Sequence, residues 1–81
     1  MFHKIKTVYP LTEYRLSVQF SDGCTKIYYV KPLLESIPVF AKLIDFNLFS
    51  DVRVDVGGQG VIWDDDLDLS CEELLGNGVK A

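Results

Sequence analysis

The segment YRLSVQFSDGCTKIYYV, residues 14–30, constrains the fold more than any other part of this sequence. Its first half alternates apolar and polar residues, and a period of two predicts a β-strand with one buried face. Asp22 and Gly23 then supply the residue pair that a two-residue type I′ turn requires, because both positions need a positive φ. The segment is therefore predicted to form an antiparallel hairpin.

A two-residue loop at Asp22 and Gly23 also predicts which residues face each other across the hairpin. The pairs expected on the core side are Phe20 with Thr25, Val18 with Ile27, and Leu16 with Tyr29. The pairs expected on the opposite side are Gln19 with Lys26, Ser17 with Tyr28, and Arg15 with Val30. Tyr28 and Val30 are too apolar for a face that is open to water, so we expect another element or a second subunit to cover part of it.

The flanking segments predict a further strand and one helix. KIKTVYPL alternates with a period of two before the hairpin, and Pro10 ends this strand or places it at a sheet edge. After the hairpin, apolar residues at the i, i+3 and i+4 spacing from Phe40 predict a short helix over about residues 37–44. Ser36 is its expected N-cap, and Leu33 lies in a turn that precedes it.

The second half of the chain returns to strand periodicity. DVRVDV and VIW predict two strands joined by GGQG, a flexible hairpin connection. Ser70 with Glu73 three residues later matches a capping box, which predicts a short C-terminal helical turn. Together the elements predict one small domain over residues 1–81 of the α+β class. It has a mostly antiparallel β-sheet in the order β-β-β-α-β-β, with one short helix packed on the sheet and the C-terminal helical turn.

Composition limits the classes of function. The formal net charge of −4 over 81 residues disfavours general binding to phosphate backbones, so nucleic acid is not expected as a partner of this chain alone. The start MFHKIKTVYPL lacks signal-peptide character and no apolar run could span a bilayer, so we expect a cytoplasmic location and no membrane partner. Cys24 and Cys71 are then expected to be free thiols. Their spacing, with His3 as the single histidine, matches no zinc site.

Several motifs, in order along the chain, resemble the bacterial domain-of-unknown-function family 2442. The family pattern is a strand ending in Phe-x-Asp-Gly, a leucine pair before the helix, an Asp-x-x-x-Phe-x-x-Val segment and a Trp-x-x-x-x-Asp-Leu ending. The matching residues are Phe20, Asp22 and Gly23; Leu33 and Leu34; Asp45, Phe49 and Val52; and Trp63, Asp68 and Leu69. The resemblance extends from about Tyr14 to Leu75.

This resemblance implies a small β-rich α+β domain without an established activity. Some family members carry a helix-turn-helix DNA-binding domain after this one, and others are encoded beside a small partner protein in pairs that look like toxin–antitoxin systems. We therefore expect a non-enzymatic protein-interaction module, such as the antitoxin-like small partner of a two-protein bacterial system. The alternative is a small ligand-binding regulatory domain of the kind fused to DNA-binding domains in relatives. The expected partner is another protein, with a homo-oligomer as an alternative, and no catalytic residue, cofactor or metal is expected.

The acidic run WDDDLDLS, residues 63–70, is the most conspicuous candidate site. An EF-hand-like spacing from Asp64 fails, because Leu69 and Leu75 occupy the positions of the defining glycine and glutamate. A weak Ca²⁺ site and an acid–base pair are alternatives, but we favour a solvated turn whose negative charge suits the start of the following helical turn. The remaining hypothesis is an acidic ridge with exposed aromatic side chains that binds a basic partner protein. Its candidate residues are Trp63, Asp64, Asp66, Asp68 and Tyr28.

Overall fold

The computed structural model describes residues 3–81, which form two antiparallel β-sheets joined by short helical segments. The first sheet has four strands in the order β1-β2-β3-β7, and the second has three in the order β4-β5-β6. The predicted α+β class is confirmed, although the strands form two sheets rather than one. The strands are β1 Ile5–Leu11, β2 Arg15–Phe20, β3 Thr25–Tyr29, β4 Arg53–Val54, β5 Gly60–Asp64, β6 Leu67–Ser70 and β7 Val79–Lys80. The helices are α1 Lys31–Ser36, α2 Phe46–Ser50 and α3 Cys71–Asn77, with a 3₁₀ helix at Pro38–Ile44 between α1 and α2.

The β2–β3 hairpin closes through three loop residues, Ser21–Gly23. The N–H of Gly23 donates to the carbonyl of Phe20 (3.0 Å), and the N–H of Phe20 donates to the carbonyl of Cys24 (2.8 Å). Gly23 has a φ of +94°, the left-handed conformation that follows a type I turn in three-residue hairpins. The predicted two-residue type I′ loop is therefore wrong by one residue.

The extra loop residue displaces every predicted cross-strand pair by one position. Because side chains alternate between the faces of a strand, each residue of β3 then lies on the face opposite to the predicted one. Leu16 pairs with Tyr28 rather than with Tyr29. Tyr28 is consequently buried, with 4 % of its surface exposed, whereas Tyr29 is 51 % exposed. Val30 is fully buried as well. The apolar character of Tyr28 and Val30, which suggested a covered opposite face, is explained by their position in the core.

Strand β1 lies at the edge of the first sheet, as one of the two alternatives predicted from Pro10, and it does not end at Pro10 because it continues to Leu11. Its pairing with β2 is irregular between Ile5 and Thr7. This bulge lets Ile5 and Val8 both contact the core, although they are three residues apart and a regular strand would place them on opposite faces. Simple alternation therefore assigns the wrong face to the first part of this strand.

The connection between the two sheets is helical for most of its length. The predicted helix over residues 37–44 is the 3₁₀ helix Pro38–Ile44. Ser36 does not cap it, because its hydroxyl donates to the carbonyl of Pro32 (2.8 Å) in α1. Helix α2 was not predicted. Asp45 is its N-cap, because the Asp45 carboxylate accepts the N–H of Asn47 (3.0 Å).

The second sheet differs from the prediction at both ends. Strand β4 is only two residues long, and Val56, which was predicted to lie in that strand, instead begins the 3₁₀ turn Val56–Gly58 in the connection to β5. The acidic run forms a tight turn at Asp65 and Asp66, as expected, but the LDLS segment after it is strand β6, which was not predicted.

The core lies between the sheets and is centred on four aromatic residues. The ring of Phe49 lies 5.3 Å from that of Tyr14 and 6.1 Å from that of Trp63, measured between centroids. The ring of Phe40 meets Trp63 edge to face at 6.4 Å. The indole N–H of Trp63 donates to the carbonyl of Phe49 (2.9 Å), so its polar atom is satisfied inside the core.

The C-terminal segment connects the second sheet back to the first. Ser70 caps α3, as predicted, because its hydroxyl accepts the N–H of Glu73 (3.1 Å). The ammonium group of Lys26 in β3 donates to the carbonyl of Leu75 near the end of α3. Strand β7 then pairs with β3 and forms the edge of the first sheet opposite β1. This two-residue strand was not predicted.

We expect Gly23→Val to destabilise the protein by more than about 1 kcal/mol, because a β-branched residue resists the left-handed conformation. An added Cβ at this position meets no atom within 4 Å, so the expected cost comes from the positive φ rather than from crowding at the Cβ. Gly76→Ala in α3 is the matched control, because it also has open space but no positive φ. Alanine should stabilise the helix by up to about 1 kcal/mol. Urea denaturation checks both variants, and equal free energies of unfolding would contradict the assigned turn.

Candidate interaction surface

The first sheet has one face on the core and one face toward solvent, here called the outer face. The cross-strand pairing arranges its side chains in three rows. The rows are Thr7, Gln19 and Thr25; Tyr9, Ser17, Ile27 and Val79; and Leu11, Arg15 and Tyr29.

Apolar and aromatic side chains occupy half of the outer face. Tyr9 is 57 % exposed, Tyr29 is 51 % exposed and Val79 is 56 % exposed. Leu11 and Ile27 are half-buried between them. Scattered apolar residues are normal on protein surfaces, but several on one sheet face mark a candidate site for binding another protein. Here they lie in two groups, on β1 and on β3 with β7, on either side of the polar outward residues of β2.

The outer face is poor in charge, and what charge it has is positive. No Asp or Glu occurs in β1, β2, β3 or β7. Arg15 is the one charged residue in the three rows, and its guanidinium is held by the carbonyl of Thr12 (3.0 Å). The side chains of Thr7 and Gln19 bond to each other (2.8 Å), which satisfies part of their polar surface. The face can therefore lose water at a lower cost than a surface of free ions.

The structure separates the residues that the sequence predicted as a partner surface. Trp63 and Tyr28 are 3 % and 4 % exposed, so neither can contact a partner, and the prediction is wrong for these two residues. Asp64, Asp66 and Asp68 remain accessible at or near the β5–β6 turn. The two aromatic residues predicted for the acidic ridge therefore lie in the core and not at the surface.

The acidic turn is held by local contacts. The carboxylate of Asp64 accepts the N–H of Asp66 (2.9 Å) and lies 3.9 Å from the ammonium nitrogen of Lys42. Across residues 3–81, no group of three or more histidine, cysteine, aspartate or glutamate side chains is arranged to hold a metal ion. These contacts are those of a solvated turn, and they provide no specific ligand set.

Tyr28 and Glu73 form a polar contact at the rim of the core. The hydroxyl of Tyr28 donates to the carboxylate of Glu73 (2.8 Å), and the side-chain amide of Asn77 donates to the same oxygen (2.8 Å). Burial, and then the hydrogen bond and negative charge of Glu73, raise the pKa of Tyr28 well above its usual value near 10. The hydroxyl therefore stays protonated at neutral pH and attaches α3 to the first sheet.

A cleft of about 540 Å³ lies between the N-terminal segment and the start of α3. Lys4, Cys71 and Glu72 are among the residues that line it. The thiol of Cys71 donates to the carbonyl of His3 (3.3 Å), and burial, followed by the charge of Glu72, raises the pKa of this thiol. A thiol with a raised pKa is a poor nucleophile, because the thiolate is the reactive form.

Other classes of site find little support in the part of the chain that the structure describes. Both Cys24 and Cys71 are free, and neither bonds to a side-chain base. No helix within residues 3–81 has both the length and the apolar character that a membrane span requires.

The outer face was not found from the sequence, because the hairpin register was off by one. The predicted register placed Tyr29 and Ile27 in the core and therefore hid the two most informative residues of the face. The available signal was Gly23, since a glycine at the third loop position also suits a three-residue hairpin with a left-handed residue.

Comparisons with known proteins give a family and one solved structure. The family model described as "Protein of unknown function (DUF2442)" matches residues 5–80. The chain is also similar to the crystal structure of the "Putative DNA Binding Protein NE0471" from Nitrosomonas europaea, at 31 % identity and a TM-score of 0.70. The match covers 82 % of this chain but only 43 % of that protein, so the chain spans less than half of its length. No curated protein matches the chain.

We expect the triple substitution of Asn for Asp64, Asp65 and Asp66 to change the free energy of unfolding by less than about 0.5 kcal/mol, because asparagine keeps the local turn acceptor. Asp45→Ala is the control, since this aspartate caps α2, and it should cost about 1 kcal/mol. Thermal melts with and without Ca²⁺ at constant ionic strength complete the test. A Ca²⁺-dependent rise in the melting temperature of the wild type, absent in the triple variant, would show that the turn is a metal site.

We expect the stability of the protein to fall as pH rises above about 10. The unfolded state loses the Tyr28 proton there while the folded state keeps it, because the pKa is raised in the folded state. For this group the slope is at most about 1.4 kcal/mol per pH unit. Tyr28→Phe should remove that part of the slope and cost about 1–2 kcal/mol at pH 7 through the lost hydrogen bond. Urea denaturation between pH 7 and 11 tests this, and parallel curves for the two proteins would contradict it.

Proposed function

This chain belongs to the DUF2442 family of proteins of unknown function, and we propose that it is a non-enzymatic protein-interaction module that binds its partner through the outer face. The observation that carries the proposal is that Tyr9, Tyr29 and Val79 are each more than half exposed on one sheet face without carboxylates. Tyrosine suits such a surface, because it combines a large apolar ring with a hydroxyl that can remain hydrated.

The proposed partner is another protein, as for the antitoxin-like small member of a two-protein bacterial system. The family resemblance suggests that arrangement, and the outer face supplies a surface for it. A cytoplasmic location is part of the proposal, and the free state of Cys24 and Cys71 suits a reducing compartment.

Direct binding to DNA by this chain is not part of the proposal. The Nitrosomonas europaea protein carries that description, but more than half of its length lies outside the match. Here the net charge is −4, and the outer face has a single cation, Arg15. Binding to phosphate backbones depends on many such cations.

The test is affinity purification of the tagged chain from its native host. The wild type should retain a defined protein partner, and Tyr29→Glu should lose it, because it replaces an exposed aromatic ring of the face with a carboxylate that would have to lose its water on binding. Val56→Glu is the matched control, since Val56 is an apolar residue that is 87 % exposed but lies outside the outer face. Retention of the same partner by both variants would contradict the outer face as the binding surface.

The cleft beside α3 favours a second candidate function, a small ligand-binding regulatory domain. Its volume of about 540 Å³ lies in the range of small-molecule sites. A thermal-shift screen tests this candidate, because a ligand at 100 times its Kd adds about 2.7 kcal/mol of stability. Gln59→Trp, which places a bulky ring at the wall of the cleft, should abolish the shift while Tyr29→Glu preserves it. Shifts that are equal in the wild type and Gln59→Trp would place the ligand elsewhere.

A further inference from the structure

We infer that the outer face binds a second copy of this chain, face to face through the same residues, when no other protein occupies it. The inference rests on the proposed function, because the second copy and the partner protein use the same surface. The two sheets would then pack at about 10 Å, as in a β-sandwich. The distribution of charge, the relief of the face and its area support this occupant.

The distribution of charge allows two copies to approach at this face. Each copy has a net charge of −4, so two copies repel one another across most of their surfaces. All twelve acidic residues lie outside the four strands of the first sheet. The outer face is therefore a surface where two acidic copies meet without bringing carboxylates into contact.

The relief of the outer face is suited to pairing with itself. In the central row, Ser17 lies between Tyr9 on β1 and Ile27 on β3. Serine is the smallest side chain of this row, so we expect the row to be lowest at β2. In a symmetric pair, Tyr9 or Ile27 of one copy can then lie over Ser17 of the other, and each such contact occurs twice.

The area of the face predicts how tightly two copies bind. Strands about 4.8 Å apart, with about 3.3 Å of rise per residue, give four strands a footprint of about 400 Å² per copy. Two such footprints total about 800 Å², whereas a stable specific interface buries more than about 1,000 Å². The dimer should therefore be weak and should form only at high protein concentration.

Sedimentation velocity between about 1 µM and 1 mM protein tests the inference. The wild type should shift from monomer to twice the monomer mass across this range. Tyr29→Lys should weaken the dimer at least tenfold, because it places like charges face to face, and Val56→Lys should match the wild type. Circular dichroism at 1 µM serves as the check that both variants are folded, and Val79→Ser is a second, milder face variant that should weaken the dimer by a smaller factor.

Salt provides an independent readout. Raising NaCl from about 50 to 500 mM should strengthen the dimer, because the salt screens repulsion between two copies of charge −4. A dimer that salt weakens would be held by ion pairs and would overturn the face-to-face arrangement.

Two other outcomes separate this inference from the proposed function. A wild type that stays monomeric up to 1 mM overturns the second copy as occupant. If the wild type retains a different protein partner in the purification experiment and Tyr29→Glu loses it, the proposed function stands without self-association. A dimer that is unchanged by Tyr29→Lys and Val79→Ser also overturns the inference, because its contacts must lie on another surface.

Discussion

The three-residue turn Ser21–Gly23 is the constraint on which the rest of the structure depends. It sets the register between β2 and β3, and the register decides which side chains of the first sheet enter the core. With this turn, Tyr28 faces inward and bonds to Glu73, while Ile27 and Tyr29 face outward. The turn therefore determines both the contact that holds α3 and the composition of the outer face.

The remaining elements cover only one side of the first sheet. The second sheet supplies Trp63 to the core, and the helical connection supplies Phe49. The hydrogen bond from the indole of Trp63 to the carbonyl of Phe49 joins the sheet to the connection. On the other side, the exposure of Tyr9 and Tyr29 shows that nothing within residues 3–81 packs closely over them. A sheet with two partly apolar faces and a single covering layer leaves one face available for a partner.

Some local features were predictable from the sequence, whereas the cross-strand pairing and the burial that follows from it were not. The cap at Ser70 and the turn at Asp65 and Asp66 depend on neighbours within a few residues, so the sequence pattern identified both. The hairpin register depends on one loop residue, and Asp22-Gly23 is compatible with loops of either two or three residues. Trp63 packs on Phe49 of α2, an element that was not predicted, and so the candidate acidic ridge included a residue that lies in the core. Pro38 begins the 3₁₀ helix after α1, and Asp45 separates the 3₁₀ helix from α2, so the helical connection consists of short pieces that a 3.6-residue period does not resolve.

The hairpin register places Tyr29 on the outer face and Tyr28 in the core. The most direct test is fluorine NMR of protein labelled with 3-fluorotyrosine, at a concentration below that of any dimer, in the presence of a soluble paramagnetic agent. Single Tyr→Phe variants assign the four resonances. The account predicts strong broadening of the Tyr9 and Tyr29 signals and a sharp Tyr28 signal, because Tyr28 is only 4 % exposed. A sharp Tyr29 signal beside a broadened Tyr28 signal would contradict the register, and with it the composition of the outer face.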